Sequence, residues 1–288
     1  MSDDPYQAGI EIAATLQALD GPNVNSACHT RLYTHGRRTE RSLVLLHGFT
    51  NCPQQFDALG KQFYELGWNV LIPRYPRHGY ADRLTTSIAE LRSEQLIALA
   101  NRAGEAGAGL GERLTVAGLS LGGVLTAHLA QSSDRVERAV LIAPMFGLRP
   151  IPGWGMAAMT RLAYVLPNFN IWWDHELKEK IAPPHGYPRF ATRAYAALFE
   201  AGAIVMKAAR RAAPKARYIE VITNAAEPRL DNRFTSELVK VWRRHGADVG
   251  TYEFPLADGL PHDLIDPANP DLDTTRVYPV VVEAIKGT

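Results

Sequence analysis

Residues 113–130 read RLTVAGLSLGGVLTAHLA, and this run carries the strongest indication of the fold class. Its first part is rich in apolar and β-branched side chains, which is typical of a buried strand. A helix-forming run begins at Leu121, and a G-x-S-x-G pattern spans the junction from Gly118 to Gly122. A sharp strand-to-helix turn of this composition can hold a serine exposed as a nucleophile. We therefore predict Ser120 as the nucleophile, with the start of the helix favouring negative charge beside it.

The same alternation of strand and helix continues on both sides of this segment. Short apolar runs predict buried strands at residues 43–47, 69–75, 113–120, 136–144, 218–223 and 251–255. Helices are predicted at residues 54–66, 87–103, 121–130, 236–246 and 275–285. Strands that are apolar on both faces and alternate with helices predict an α/β fold with a mostly parallel sheet covered on both sides. Residues 1–41 have room for a short helix and one or two antiparallel edge strands.

One long segment interrupts the alternation. From residue 145 to about 209 there is no strand candidate, but there are several prolines, a long helical run and the tryptophans Trp154, Trp172 and Trp173. We predict a single domain over residues 1–288 with a helical cap at about 145–209. The aromatic and Met content suits an apolar ligand. An equally good interpretation is that these side chains only pack the segment onto the body.

A serine hydroxyl needs a base, and the sequence offers nine histidines. His262 follows the last predicted strand, in the loop GLPHDLIDP. Loops at the carboxyl ends of parallel strands meet at one edge of the sheet, and Ser120 leaves its strand at the same edge. We therefore predict His262 as the general base. Surface or packing roles are predicted for His128, His175, His185 and His245.

Two carboxylates can complete the site after the predicted strand 218–223. Glu227, four residues past that strand, is favoured as the acid that orients the imidazole. Asp231 is the alternative acid, although the following DNRFTSEL resembles a helix start that Asp231 would cap. Either choice gives the chain order serine, acid, histidine. Asp263 and Asp266 come later in the chain and are predicted to cap their own loop.

An oxyanion hole requires backbone N–H donors near the nucleophile. We predict that Leu121 and Phe49 supply them, the latter from the loop HGFT (47–50). His47 is predicted to brace this loop rather than to transfer protons. His78, in the loop after the next strand, is predicted as a buried hydrogen-bonding residue more than as a pocket wall.

Charge and composition exclude several classes of partner. The net charge is +1, and no run of five like charges occurs, so we expect no nucleic-acid partner. No stretch reaches the ~18 apolar residues of a membrane span, so stable membrane insertion is not expected. The N-terminus lacks a secretory pattern, which leaves cytoplasmic residence as the prediction. Composition does not determine the oligomeric state.

The two cysteines, Cys28 and Cys52, predict no disulfide framework in a chain of 288 residues. No paired His and Cys spacing is typical of a metal site, so we expect no metal.

Taken together, four motifs in order resemble the α/β-hydrolase superfamily from about residue 40 onward: HGFT (47–50), PRYPRHG (73–79), GLSLGG (118–123) and LPHDLIDP (260–267). Within it the chain resembles bacterial carboxylesterases and monoacylglycerol lipase-like serine hydrolases. We expect a small-molecule carboxylic ester as substrate, with the apolar acyl chain that the aromatic content of residues 145–209 favours. The resemblance implies hydrolysis. It also implies an acyl-enzyme on Ser120, His262 as base, and no metal or organic cofactor. Many members carry Asp where this chain has Glu227.

Two other functions remain open at the level of sequence. The same three residues could serve a thioesterase, an acyltransferase, a C–C hydrolase or a peptidase. A remoter alternative is a non-catalytic ligand-binding protein, because a fold alone does not establish a function.

Overall fold

The structure is a computed structural model that describes residues 3–180 and 183–287. Its helices are α1 (Pro5–Gln17), α2 (Asp57–Glu65), α3 (Ser93–Leu110), α4 (Leu121–Ser132), α5 (Gly153–Val165), α6 (Thr192–Ala209), α7 (Asn232–Arg244) and α8 (Thr274–Lys286). Its strands are β1 (Arg31–Tyr33), β2 (Thr39–Leu46), β3 (Asn69–Ile72), β4 (Gly111–Leu119), β5 (Val136–Ile142), β6 (Asn170–Trp172), β7 (Arg189–Ala191), β8 (Tyr218–Asn224) and β9 (Val249–Phe254).

The main sheet has seven strands in the order β1-β3-β2-β4-β5-β8-β9. All neighbours are parallel except β1, which pairs antiparallel with β3 at one edge. The predicted fold class is therefore confirmed, and β4, which leads to Ser120, lies in the middle of the sheet.

Both faces of the sheet are buried, as the continuous apolar runs predicted. Successive residues of β2 point to opposite faces: Leu46 joins the core under α3, α4 and α6, whereas Leu45 joins the core under α2 and α8. The same alternation holds in β4, where Val116 and Ala117 belong to the two different cores. This burial makes the central strands a rigid support for the loops at their carboxyl ends.

Most predicted elements are present, but their ends differ. The helix predicted at 87–103 starts later and ends later, because residues 87–90 form a separate 3₁₀ turn and Leu91 is extended. From Ser93 the helix then continues to Leu110, and its last turn is packed against α1. The edge strand β1 and the helix α1 fall within the N-terminal region where both were expected.

The segment predicted as a cap contains strands, so the prediction that it has none was wrong. Strands β6 and β7 pair antiparallel, with Asn170 opposite Ala191. Each has only three residues, which is too short to give a periodic pattern. Helix α6 is buried against α4 through Gly202, which faces Phe146 and Val124.

The expectation for the two cysteines was also wrong, because Cys28 and Cys52 form a disulfide with a Cα–Cα distance of 5.2 Å. The segment before β1 packs against the loops that follow β2 and β3: Cys28 is bonded to Cys52 after β2, and the Asn25 N–H bonds the Gly79 carbonyl after β3 at 2.9 Å. The disulfide joins residues that are 24 positions apart in sequence. Within the described residues, no helix is long and apolar enough to cross a membrane.

Candidate active site

Ser120 lies between β4 and α4 with φ 59° and ψ −111°. A positive φ is strained for a residue with a side chain and persists only where neighbours hold it. Here the Ser120 N–H bonds the Ile142 carbonyl at 2.9 Å, and the Ser120 carbonyl accepts from Val124 at 3.1 Å and from Met145 at 3.2 Å. The turn therefore has the geometry of a nucleophile elbow.

Two glycines of the motif allow this turn to form. A Cβ on Gly122 would lie 1.8 Å from the Leu46 carbonyl oxygen. A Cβ on Gly118 would lie 2.3 Å from the Gly122 carbonyl oxygen. Both contacts are with backbone, which cannot move aside, so the start of α4 approaches β2 and β4 only because these positions lack side chains.

His262 lies in the loop after β9 and contacts Glu227. Its Nδ1 is 2.6 Å from Glu227 Oε2, and about a third of its side chain is exposed. The loop is held in place by Asn224 at the end of β8, whose Nδ2 donates to the carbonyls of Leu260 (2.8 Å) and Pro261 (3.2 Å). The last two parallel strands thus bring the histidine and the carboxylate together.

Glu227 is 1% exposed, and its second oxygen accepts from the N–H groups of Arg229 (3.0 Å) and Leu230 (3.3 Å). Burial alone would raise the pKa of this carboxyl. The hydrogen bond and charge of His262, together with the two backbone donors, outweigh burial and hold the pKa of Glu227 below its usual value. An ionised Glu227 makes His262 Nδ1 the donor, which leaves Nε2 free to take a proton.

Asp231, the alternative acid, makes different contacts. It is the N-cap of α7, and its Oδ1 accepts from the Arg233 backbone N–H at 3.1 Å. Both of its oxygens also accept from the Arg233 guanidinium. The structure therefore brings Glu227, not Asp231, to His262.

The loop after β2 lies against Ser120. A Cβ built on Gly48 would be 3.8 Å from Ser120 Cβ. The backbone N–H groups of Phe49 and Leu121 donate to no residue that the structure describes. Ser120 Oγ likewise has no hydrogen-bond partner within residues 3–180 and 183–287. These two N–H groups belong to the residues that directly follow Gly48 and Ser120, so they are candidate donors for an oxyanion hole.

His47 braces this loop, as predicted. Its Nδ1 donates to the Gly48 carbonyl at 2.9 Å, its Nε2 accepts from the Tyr75 N–H at 3.3 Å, and its ring stacks on Tyr75. Burial, followed by the charge of His78, lowers the pKa of His47 well below its usual value. The imidazole is therefore neutral and serves as a structural hydrogen-bonding group.

His78 is fully buried and packs its edge against Phe49. Its Nδ1 bonds the Pro76 carbonyl at 2.9 Å, and burial lowers its pKa to about 4. These contacts agree with the predicted role of a buried hydrogen-bonding residue. Its Nε2 has no partner among the described residues.

Comparison with known proteins adds the family. The model of the family described as serine aminopeptidase, S33, matches residues 37–248. This chain belongs to the S33 family of α/β-hydrolases. The matched span includes Ser120 and Glu227 and ends before His262. No curated protein sequence is similar enough to count as a match.

Solved structures resemble this S33-family chain in fold. One, from the metagenome-derived lipolytic enzymes LipS and LipT, is 18% identical, with 92% of this chain and 100% of that chain covered and a TM-score of 0.69. The monoacylglycerol lipase of Paleococcus ferrophilus is 15% identical (90% and 99% covered, TM-score 0.65). A soluble variant of Saccharomyces cerevisiae monoglyceride lipase is 13% identical (90% and 92% covered, TM-score 0.62).

An aromatic cluster of Phe49, Trp173, Phe190 and Tyr195 lies at the loop 47–50 of this S33-family chain, with neighbouring ring centroids 4.4 to 6.4 Å apart. Trp173 Nε1 donates to Thr50 Oγ1 at 2.9 Å, so the segment 145–209 contacts this loop directly. Sequence reasoning noted Trp173 but gave no sign of its partner, because the two residues are far apart in the chain.

Arg229 ties the same tryptophan to the loop that carries Glu227. Its guanidinium donates to the Trp173 carbonyl at 2.9 Å and lies 5.3 Å from the Trp173 ring centroid. Trp173 is thereby connected to Thr50 in the loop after β2 and to Arg229 in the loop after β8. Sequence reasoning missed Arg229, since a surface arginine in a loop carries no distinguishing pattern.

Among the described residues, no group of three or more His, Cys, Asp or Glu side chains is placed to hold a metal ion. The arrangement offers a hydroxyl, an imidazole oriented by a carboxylate, and two unused N–H donors. These are the parts that nucleophilic acyl transfer needs.

Proposed function

We propose that this S33-family chain is a carboxylesterase whose catalytic residues are Ser120, His262 and Glu227. The observation that carries the proposal is the 2.6 Å contact between His262 Nδ1 and the buried Glu227, formed at the sheet edge where Ser120 stands on its strained turn. A carboxylate in this position fixes the tautomer in which His262 Nε2 can accept the proton of a hydroxyl.

In the first step His262 Nε2 removes the proton of Ser120 Oγ, and the oxygen attacks the ester carbonyl. The carbonyl oxygen becomes negative and accepts hydrogen bonds from the N–H groups of Phe49 and Leu121. These donors are already in place before the reaction, so their stabilisation requires no reorganisation. Glu227 stabilises the imidazolium that forms.

In the second step the imidazolium gives its proton to the departing alcohol oxygen, which leaves an acyl-enzyme on Ser120. Water then enters, His262 takes one of its protons, and the hydroxide adds to the acyl carbon. Collapse of that intermediate returns the proton to Ser120 and releases the carboxylic acid. The cycle balances without a metal or organic cofactor.

For the substrate we propose a small-molecule ester with an apolar acyl chain. The aromatic cluster at the loop 47–50 supports this choice, because its four rings form an apolar surface beside the loop that carries the proposed Phe49 donor. We also propose residues 145–209 as the cap, since Trp173 and Phe190 come from this segment. The lipolytic and monoacylglycerol lipase structures with the same fold act on substrates of this kind by name.

The disulfide of this chain argues against the predicted cytoplasmic residence. A Cys28–Cys52 disulfide is more usual in an oxidising compartment than in the cytosol. Thiol trapping in fractionated cells would decide the compartment together with the oxidation state.

The proposed function is tested with p-nitrophenyl esters of increasing acyl length and with a fluorophosphonate that labels active serines. The control variant is Ser132→Ala, which makes the same change at the far end of α4. The wild type and Ser132→Ala are both expected to hydrolyse esters and to take up one label. Ser120→Ala is expected to lose both properties while remaining folded, with activity down by about 10³-fold or more. Equal activity in Ser120→Ala and the wild type would refute the proposal. If the folded wild type takes the label but cleaves only thioesters, the protein is a thioesterase and not a carboxylesterase.

A further inference from the structure

Gln55 lies in the 3₁₀ turn Pro53–Phe56, shortly after the loop 47–50 that carries the proposed Phe49 donor. Its side chain is 2% exposed. Its Oε1 accepts from the Gly48 N–H at 2.7 Å, and its Nε2 donates to Asp263 Oδ2 at 2.8 Å. Gly48 immediately precedes Phe49, and Asp263 immediately follows His262. One side-chain amide thus connects the two loops that the proposed mechanism uses.

The turn that carries Gln55 is itself held firmly. The Gln55 N–H bonds the Cys52 carbonyl at 3.0 Å, and Cys52 is joined to Cys28 by the disulfide. Gln55 is also close to the nucleophile, because Gly48 lies between them: a Cβ on Gly48 would be 3.4 Å from Gln55 Oε1 and 3.8 Å from Ser120 Cβ. The side-chain amide of Gln55 is therefore anchored by its turn, and Gly48 lies between it and Ser120.

The hydrogen bonds require a side chain that accepts on one atom and donates on the other. Asp263 has no further freedom, because its Oδ1 already accepts from the N–H groups of Ile265 (3.0 Å) and Asp266 (3.1 Å). Its Oδ2 is left for Gln55. Without this donor the half-buried Asp263 carboxylate would lose a charge-assisted hydrogen bond, the kind that contributes most to positioning.

We propose that Gln55 is a positioning residue that sets the separation between the Phe49 N–H and His262. The inference rests on the proposed function, since it concerns the same reaction. Gln55 touches neither the substrate nor the reacting atoms. By accepting from the Gly48 N–H it holds the His47–Gly48 peptide, which directly precedes the peptide that presents the Phe49 N–H, and by donating to Asp263 it holds the loop of the base.

The direction of the two hydrogen bonds gives a test by reversal. Gln55→Glu still accepts from Gly48 but places a carboxylate against Asp263. Asp263→Asn places an amide donor against the amide donor of Gln55, so one of them has to turn away. The double variant Gln55→Glu/Asp263→Asn restores the link, because the new amide donates to the new carboxylate and still accepts from Ile265 and Asp266. Gln55→Met is uncharged and makes neither bond. It therefore tests the same link if Gln55→Glu fails to fold.

The measurement is kcat per active site for a p-nitrophenyl ester, with sites counted by fluorophosphonate titration so that unfolded protein is not included. Each single variant is expected to lose about 10- to 100-fold in kcat with a KM changed by no more than about threefold. The double variant is expected within about threefold of the wild type. Gln131→Glu, a change at a buried glutamine far from the site, is the control and should lower the unfolding temperature with kcat per site unchanged.

Two results would overturn the inference. Single variants with wild-type kcat per active site would show that the link does not position the site. A double variant as slow as the product of the singles would show that the hydrogen-bond direction is irrelevant. Both differ from failure of the proposed function, in which the wild type itself neither takes the label nor cleaves an ester.

Discussion

Oε2 of Glu227 lies 2.6 Å from Nδ1 of His262, and the glutamate is almost completely buried. The two residues are 35 positions apart and come from loops at the ends of β8 and β9. Adjacent parallel strands therefore produce the contact, and the carboxylate has no solvent to compete with the imidazole for its oxygen.

Replacing Glu227 by Gln keeps the size of the side chain and removes its charge. The amide cannot stabilise the imidazolium and can donate to Nδ1, which favours the wrong tautomer. We expect kcat to fall by about 10³- to 10⁴-fold, the range of a carboxamide at this position in a serine protease. Steady-state kinetics per titrated site would measure it.

Asp231→Asn is the matched control for that prediction, because it changes the other carboxylate in the same segment. Asn caps helices well, so we expect kcat within about threefold of the wild type and at most about 1 kcal/mol of lost stability. If Asp231→Asn were the inactive variant and Glu227→Gln the active one, the assignment of the acid would be reversed.

Gly122→Ala is expected to prevent folding, because its methyl group would overlap the Leu46 carbonyl. The backbone there belongs to a central strand, so relief would require separating α4 from the sheet at a cost above about 4 kcal/mol. Soluble yield and thermal unfolding measure the effect. Gly21→Ala, where an added Cβ meets nothing within 4 Å, should unfold at the wild-type temperature or slightly above it. Equal stability of both variants would contradict the packing described for the elbow.

Acid should destabilise the fold in a window set by buried histidines. Burial lowers the pKa of His78 to about 4 and that of His47 well below its usual value. The unfolded chain binds these protons near pH ~6.5 whereas the folded chain does not, so stability is present above that pH and is lost as pH falls. For His78 the loss reaches about 3 kcal/mol near its folded pKa.

Urea unfolding between about pH 7.5 and 4.5 measures this slope. His78→Phe removes one of the titrating groups, so its stability should fall less steeply over the same interval. Carboxylates such as Glu227, whose pKa is lowered in the fold, lose their contribution only at lower pH. An unchanged slope in His78→Phe would mean that His78 is charged in the folded protein.

Reduction of the Cys28–Cys52 disulfide should lower stability by about 3.5 kcal/mol, the value that the chain-entropy model gives for a loop of this length. The effect on kcat should be smaller than that of losing Gln55, because the hydrogen bonds of the 3₁₀ turn remain. Thermal unfolding with and without reductant measures the change, and Cys28→Ala/Cys52→Ala should match the reduced protein. Two free thiols in the oxidised protein, with no response to reductant, would disprove the bond.

Sequence patterns alone were enough to predict the α/β class and the position of Ser120 at a strand-to-helix turn. These features are local or periodic: burial of a strand on both faces produces a continuous apolar run, and a turn that excludes Cβ atoms requires glycine at Gly118 and Gly122. The position of His262 after the last strand was available for the same reason, because parallel strands place their carboxyl ends on one edge.

Three contacts became visible only in the folded chain: the one between His262 and its carboxylate, the bond between Cys28 and Cys52, and the hydrogen bond of Gln55 to Asp263 across 208 positions. Glu227 and Asp231 follow the same strand at similar distances, and only the direction of each side chain separates a partner of the imidazole from a helix cap. Contacts of this kind depend on how separate loops pack against each other, and neither residue type nor spacing along the chain encodes that geometry.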